Sequence, residues 1–472
     1  MKSLIKYKSF FIWFLFIVDI CLFLFLRFYK INDSLVFFND MGRDFWVLDQ
    51  WRDSGKPPLL GPQTSALPIN QSAIYFYLLY PFFLLTKESP LSALFANAFI
   101  YLVPFIAGFF LFKNESKLRW SLLLVFFLIS IHPQYIIQSR YIWNPSLVTP
   151  FFLIAIYSLL IFIKNNHQRF LWLFSLSLAT SISLTYSIVP EALVIFGLAF
   201  FWQHKYRFKL FVSFIISLIL TNLPTLIFEL RHHFLLTSSL FTKQSPIQQN
   251  LSIPYKIHSL SLFLFNSTSI LNYFMLFLVF SAAILIIIKT KQTQTRLPAF
   301  ALLLSLLLTL VIPITVQAHY VFGLLTLIFI IISFLPLKFS LLISLLLSFV
   351  YLKPLQINQY FQSSPRTYQS MENCFISFCQ QHPEPLFVTV QSNMHPYHNG
   401  PEHRYLLKKA GCQVKEIETN PQSASAMIVV GDGSDYVPGK TQYYELTQFG
   451  QSQLTSTTIC QDNFKLFLLN KI

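Results

Sequence analysis

Phe10 to Phe28 reads F-F-I-W-F-L-F-I-V-D-I-C-L-F-L-F-L-R-F, and runs like it recur down the chain. About 20 apolar residues in a helix cross a ~30 Å hydrocarbon layer, and no aqueous fold absorbs many such runs. With 53 Phe among 472 residues and 54% of residues hydrophobic, lipid is the solvent for most of this chain. No small-residue cleavage site follows the first run, so it is predicted to be a retained span rather than a signal peptide. The net charge of +15 sits in short basic clusters between apolar runs. That is the distribution of membrane-protein loops, and it argues against a nucleic-acid partner.

Runs bounded by charge or proline predict an α-helical multi-pass membrane protein with eleven spans. They lie at about 10–28, 91–112, 120–138, 146–163, 170–188, 190–202, 210–228, 268–288, 298–316, 320–335 and 339–352. Ala73–Leu85, about thirteen residues, is too short to cross and is predicted to lie in the interface with its tyrosines at headgroup level. One set of connections is short and carries the lysines and arginines: Lys2, Lys6 and Lys8; Lys113, Lys117 and Arg119; Lys164 and Arg169; Lys205, Arg207 and Lys209; Lys289, Lys291 and Arg296; Lys338. This set is predicted to face the cytoplasm, with the N-terminus, in the plasma (inner) membrane. The other set holds the long loops 29–90 and 229–267 and everything after Leu352. Arg27 and Lys30 lie on the wrong side for the rule. An odd number of spans leaves the C-terminal segment outside.

From 353 to 472, Gln, Ser, Asn, Pro and charged residues replace Phe and Leu. Leu386–Val390, Val414–Ile417 and Met427–Val430 read as strands, and Glu402–Lys409 as a helix ended by Gly411. The expected architecture is a transmembrane domain over 1–352 and a small extracytoplasmic α/β domain over 353–472. Four of the five cysteines, Cys374, Cys379, Cys412 and Cys460, lie in the second. In an oxidising exterior they form two disulfides in one of three pairings, or else stay as buried thiols. Cys21 lies in the first span as a packing residue.

Chemistry concentrates in Phe37–Pro58, F-F-N-D-M-G-R-D-F-W-V-L-D-Q-W-R-D-S-G-K-P-P, in a chain of which only 11% of residues are charged. Asn39 or Asp40 suits a helix N-cap, Gly55 suits its end, and Pro57-Pro58 forbids continuation. At about 100° per residue, Asp40 and Asp44 share a side with Leu48 and Trp51, whereas Asp49 and Asp53 fall on the other, predicted to be solvated. Ionisable groups at an apolar boundary are costly, which marks Asp40 and Asp44 as site candidates; the plainer alternative is an acidic interfacial helix capped by Asp40.

N-D-M-G-R-D at 39–44, S-G-K-P-P-L-L-G-P-Q-T-S at 54–65 and I-Y-F-Y-L-L-Y-P at 74–81 follow one another after the first span. Further on come S-R-Y-I-W-N-P at 139–145, F-E-L-R-H-H-F at 228–234, A-H-Y at 318–320 and H-R-Y-L-L at 403–407. Taken in order, these resemble the GT-C membrane glycosyltransferases, in the bacterial branch of the protein O-mannosyltransferases and the lipid A aminoarabinose transferase. The family's first outer loop carries an acidic motif and amphipathic helices. Many relatives have an adjacent Asp-Glu pair there, whereas here Asp40 and Asp44 are separated by three residues.

The resemblance implies transfer of a sugar from a polyprenyl phosphate to an acceptor hydroxyl on a lipid, glycan or protein outside the membrane. The leaving phosphate needs no general acid, but the attacking hydroxyl needs a base, and direct displacement inverts the anomeric centre. Asp40 is assigned as that base, with Asp44 orienting the acceptor or holding a divalent ion, or the two roles exchanged. Arg43 either fixes the carboxylates or meets the donor phosphate. Arg231 with His232 and His233, flanked by Glu229, is the first candidate cation cluster for that phosphate; Arg140 is the second, and His319 with Tyr320 the third. Each has a plainer alternative as a helix-end or headgroup anchor. Tyr75, Tyr77, Tyr80, Tyr141 and Trp143 either stack on sugar or sit among headgroups. No Walker, dinucleotide or zinc motif is present, and no cofactor is required beyond the optional divalent metal. The competing class is a flippase or polymerase of lipid-linked glycans; for a flippase, Glu191 beside Pro190 is the candidate intramembrane charge.

Overall fold

The structure is a computed structural model that describes residues 2–35, 37–64, 69–242, 252–265, 270–312, 316–353, 361, 367–392, 400–434, 436–437, 443–461 and 464–472. The ends of two predicted spans, 268–269 and 313–315, and Ser65 of the second motif lie outside these residues. The chain folds as two compact units, one of Met1–Tyr29 with Pro57–Tyr360 and one of Lys30–Lys56 with Phe361–Ile472.

The first unit is helical. Each predicted stretch contains an apolar helix, and among the described residues five helices are long and apolar enough to cross a bilayer: Phe10–Phe28, Leu91–Leu111, Asn144–Asn165, Ile270–Lys289 and Thr293–Val311. This makes the chain a multi-pass membrane protein. Tyr186–Trp202 and His204–Thr221 meet the same test only as a pair bent by 103°. Every residue of Phe322–Phe334 is buried, so this helix runs through the middle of the unit. Ile270–Lys289, by contrast, turns Ile270, Phe274, Phe277 and Ile288 outward, as a lipid-facing helix does. Stacked rings lock the first helices together, Phe16 on Phe109 at 3.9 Å and Phe105 on Phe126 at 3.7 Å. Between helices that gain nothing from hydrophobic association in lipid, hydroxyl pairs act as glue: Ser175 with Ser213 (2.7 Å) and Ser183 with Thr221 (2.8 Å). Each such pair is worth about 0.6 kcal/mol.

Two predicted spans are broken. The 120–138 stretch ends as a helix at Ile131; His132 turns extended, its Nδ1 accepts from the Gln134 amide, and Pro133 starts a new short helix. Proline has no N–H to continue the ladder and forces its predecessor out of helical geometry. The 210–228 stretch splits at Asn222, ahead of Pro224, into Arg207–Thr221 and Leu223–Arg231. The 29–90 segment holds the Asp40–Ser54 helix, an antiparallel hairpin of Leu60–Gln63 with Asn70–Ser72, and the Ile74–Leu85 helix, which buries Tyr75, Phe76, Leu79 and Phe83. The 229–267 segment is largely helical too, with Leu235–Thr242 and Ile253–Phe265.

In the second unit a four-stranded sheet is ordered Leu386–Ser392, Ala426–Asp432, Phe464–Lys471, Ser452–Gln461. The first two strands are parallel, pairing Val388 with Ile428, and the others are antiparallel. A parallel pair needs a crossover, and the Pro401–Lys409 helix lies in it. Phe387, Met427, Val429, Phe449 and Phe467 pack as one buried cluster. Val414–Ile417 is not a strand: only Val414 bridges to Leu386. The strand Ser452–Gln461, S-Q-L-T-S-T-T-I-C-Q, is an edge strand without an apolar run, and periodicity misses it. The cysteines pair as Cys374 with Cys460 and Cys379 with Cys412; Cys21 is free.

Candidate active site

The acid helix begins at Asp40 after an unusual residue. Asn39 has φ 34° and ψ −96°, and its side chain does not cap the helix. A side chain with positive φ is costly, ~1–3 kcal/mol, and such strain collects at functional sites. The helix ends as expected at Gly55, whose φ of 66° suits a glycine and whose N–H donates to the Trp51 carbonyl.

Within the first turn, Arg43 binds both candidate acids. Its Nη1 donates to Asp40 Oδ1 at 2.7 Å; its Nη2 and Nε donate to Asp44 Oδ1 at 2.7 and 2.9 Å. The two carboxylates differ in access. Asp44 is fully buried, while the Asp40 side chain is 26% exposed. One guanidinium therefore fixes two acids of which one reaches solvent.

Asp49 corrects the sequence-based expectation, because it is buried rather than solvated. It pairs with Arg52 at 2.7 Å and with Lys408, and Lys408 also reaches Asp53 at 2.6 Å. Lys408 and Arg52 hold the Asp53 carboxyl below its usual range. Burial would lower Lys408, yet Asp49 and Asp53 leave its ammonium raised. Burial likewise opposes ionisation of Glu418, but the Arg404 guanidinium at 2.8 Å brings it below the usual range. The signs follow from linkage. The depressed acids stabilise the fold above the ordinary carboxylate range, about pH 4–5, and that share is lost as pH falls through their folded values. The raised lysine contributes fully below about pH 10 and is lost as pH rises through its folded value. The thermal stability of the solubilised protein is thus expected to fall on acidification below about pH 4, with Lys408→Met flattening the fall. An identical acid profile in wild type and variant would remove these pairs from the account.

In the first unit, two buried arginines cap helix C-termini. Arg27, at the end of the first helix, donates to the carbonyls of Ile129 (3.1 Å) and Ser130 and lies over the Phe23 ring at 4.2 Å. Arg140 donates back to the carbonyls of Tyr29 (2.6 Å) and Leu26. Cations at helix C-termini satisfy orphan carbonyls and the helix dipole. Burial pushes Arg140 down only to about 10, so it stays charged at neutral pH. Lys256, also buried, donates to the carbonyls of Leu310 (3.0 Å) and Ile312, the end of the Thr293–Val311 helix. The sequence marks Arg27 only as an exception to the charge rule and does not mark Lys256; an isolated cation within or beside an apolar run is the signal for such a cap.

Arg231, His232 and His233 are exposed. The His232 ring stacks on Phe228 at 4.0 Å, and positive φ at His233 (52°) and Phe234 (59°) makes a sharp turn. Glu229 is engaged by the next helix: its carboxylate accepts from the amides of Leu236 (2.9 Å) and Thr237 (3.0 Å) and from the Thr237 hydroxyl. Burial opposes its charge, but these donors and His232 hold it below the usual glutamate value. His319 stands 4.7 Å from Trp143 and 4.4 Å from Tyr320, so the W-N-P and A-H-Y motifs meet. Burial pushes His319 down to about 4, which makes it neutral at physiological pH. Among the described residues, no three His, Cys, Asp or Glu side chains gather as a metal site.

An apolar helical unit, an acid helix following the first span and a small mixed sheet make up a fold that is shared with solved structures. The particular fold is that of ArnT from Cupriavidus metallidurans. The structure of ArnT bound to undecaprenyl phosphate matches with a TM-score of 0.63 at 9% identity, over 97% of this chain and 98% of that one. The apo ArnT structure matches with a TM-score of 0.62 at 10% identity, over 97% of each chain. No protein-family model matches the chain, and no curated protein sequence does.

Proposed function

We propose that this chain is an integral-membrane inverting glycosyltransferase. It moves a sugar from a polyprenyl-phosphate donor to an acceptor hydroxyl on the extracytoplasmic side, with eleven crossings, a cytoplasmic N-terminus and residues 353–472 outside. The observation that carries this reading is the Asp40–Arg43–Asp44 cluster, one acid accessible and one buried, in a chain with the ArnT fold. That ArnT has been captured with undecaprenyl phosphate supports a polyprenyl-phosphate donor. The two disulfides support an oxidising location for the second unit.

Asp40 takes the proton of the acceptor hydroxyl as its oxygen attacks the anomeric carbon from the face opposite the phosphate. The bond from that carbon to the phosphate oxygen breaks, and the phosphate leaves with the electron pair, so configuration inverts. Arg43, anchored on buried Asp44, keeps the Asp40 carboxylate aimed and removes the need for a metal in this scheme. For the leaving phosphate, Arg231 with His232 is favoured over Arg140, whose guanidinium already caps a helix. His319 lies against Trp143 and Tyr320 against His319, an aromatic surface that suits sugar contact better than charge neutralisation.

Membranes containing the protein, supplied with a panel of radiolabelled polyprenyl-phosphate sugars, test the reading. One donor is expected to lose its sugar to an acceptor and release free polyprenyl phosphate. Movement of the intact lipid-linked sugar across the bilayer, with no bond broken, would instead make the protein a flippase.

A further inference from the structure

The acid helix has a second face with no role in the chemistry above. At about 100° per residue, Gly42, Trp46, Asp49 and Asp53 fall within about 60° of one another, on the side away from Asp40, Arg43 and Asp44. Every one of the four meets the same stretch of the second unit. A Cβ on Gly42 would stand 2.2 Å from the Glu402 nitrogen and 2.3 Å from its Cα, so only glycine permits this approach. Trp46 Nε1 and Gln50 Nε2 both donate to Glu416 Oε1, at 2.8 and 2.9 Å. Lys408 bridges Asp49 and Asp53 and lies over the Trp46 ring at 5.4 Å. Phe45 meets Tyr405 edge-on at 5.5 Å.

We infer that the Pro401–Lys409 helix, with Glu416, is a clamp that positions the Asp40–Arg43–Asp44 cluster by gripping the opposite face of its helix. This inference rests on the reading of Asp40 as the base. Gly42 sets the distance between the two helices, because one methyl group there collides with backbone on the far side. Lys408 sets the register, because its single ammonium must reach two carboxylates one turn apart. These are positioning residues: none of them touches the reacting atoms, and each acts through the place it gives Asp40. A misplacement of about 1 Å costs roughly 10²-fold in rate, so a clamp of this kind has leverage on turnover out of proportion to its own stability.

The test uses the full chain in detergent, as wild type, Gly42→Ala, Lys408→Met and Lys408→Arg. Hydrogen exchange and steady-state transfer from a radiolabelled polyprenyl-phosphate sugar are measured on each. Gly42→Ala and Lys408→Met are expected to speed exchange of Asp40–Ser54 about tenfold while strand Ala426–Asp432 keeps its protection. Their kcat falls ~10–100-fold with the donor KM within about twofold, and Lys408→Arg restores most of the rate. Unchanged exchange over Asp40–Ser54 in both variants overturns the clamp, whatever the activity. Faster exchange with undiminished kcat overturns its positioning role. Loss of protection in the strand as well marks a folding defect in that variant, and the Lys408→Arg against Lys408→Met comparison then decides. Should Asp40→Asn transfer at the wild-type rate, the functional reading fails, and the exchange data still decide the clamp by themselves.

Discussion

Asp40→Asn is expected to leave a protein that inserts, forms both disulfides and binds its donor, but transfers ~10²–10⁴-fold more slowly. The amide keeps the shape of the side chain and can still accept the Arg43 Nη1 hydrogen bond, so packing changes little. What it loses is the capacity to take a proton. The donor KM should hold steady while kcat falls, because the interaction removed exists only as the acceptor hydroxyl gives up its hydrogen. Asp44→Asn serves as the contrast. Asp44 is wholly buried and anchors Arg43, so its loss should disturb the cluster and destabilise the protein, with a smaller effect on kcat at matched folded fraction. If Asp44→Asn were the inactive variant and Asp40→Asn the active one, the two roles would have to be exchanged.

Replacing Cys379 and Cys412 by alanine is expected to cost the second unit about 3–4 kcal/mol, by the chain entropy of a loop this long. The pair closes a separation of 33 residues, and Cys374–Cys460 closes 86. Cys379–Cys412 has the greater functional reach, because Cys412 follows the Pro401–Lys409 helix at once and ties it to the Tyr368–Gln381 helix. Reductant, which also opens Cys374–Cys460, should therefore lower transfer activity along with the unfolding midpoint, and the Cys379→Ala/Cys412→Ala variant isolates the share of this pair. The midpoint in urea, followed with and without reductant, checks the first part. An unchanged midpoint for Cys379→Ala/Cys412→Ala would show that this pair does not staple the unit.

Much of this is legible in the sequence. Apolar helices announce themselves by length and composition, and the acid cluster by its contrast with a chain nearly empty of charge. The helix stop at Gly55 is readable too, since a glycine suits the left-handed cap found there and two prolines follow it. The breaks at His132 and Asn222 were readable in principle, because each precedes a proline closely, but hydropathy carried the predicted spans through them. The edge strand Ser452–Gln461 had no apolar alternation to find. The burial of Asp49 was beyond reach for a different reason: its partner Lys408 lies 359 residues away, and helical periodicity of one segment says nothing about what waits for its polar face. The same distance hid Gly42, which reads as a weak spot in a helix until Glu402 is set against it.

That separation has a consequence for how the protein comes into being. The acid helix is made before its clamp: Glu402, Lys408 and Glu416, which grip its rear face, follow it by more than 340 residues. While the ribosome is still threading the intervening helices into the bilayer, Asp40–Ser54 has only its own weak propensity to hold it, and a fifteen-residue helix alone in water is marginal. Competence therefore arrives last, when residues 402–416 have been made and packed on the acid helix. A nascent chain stalled anywhere before residue 402 should be inserted but inert.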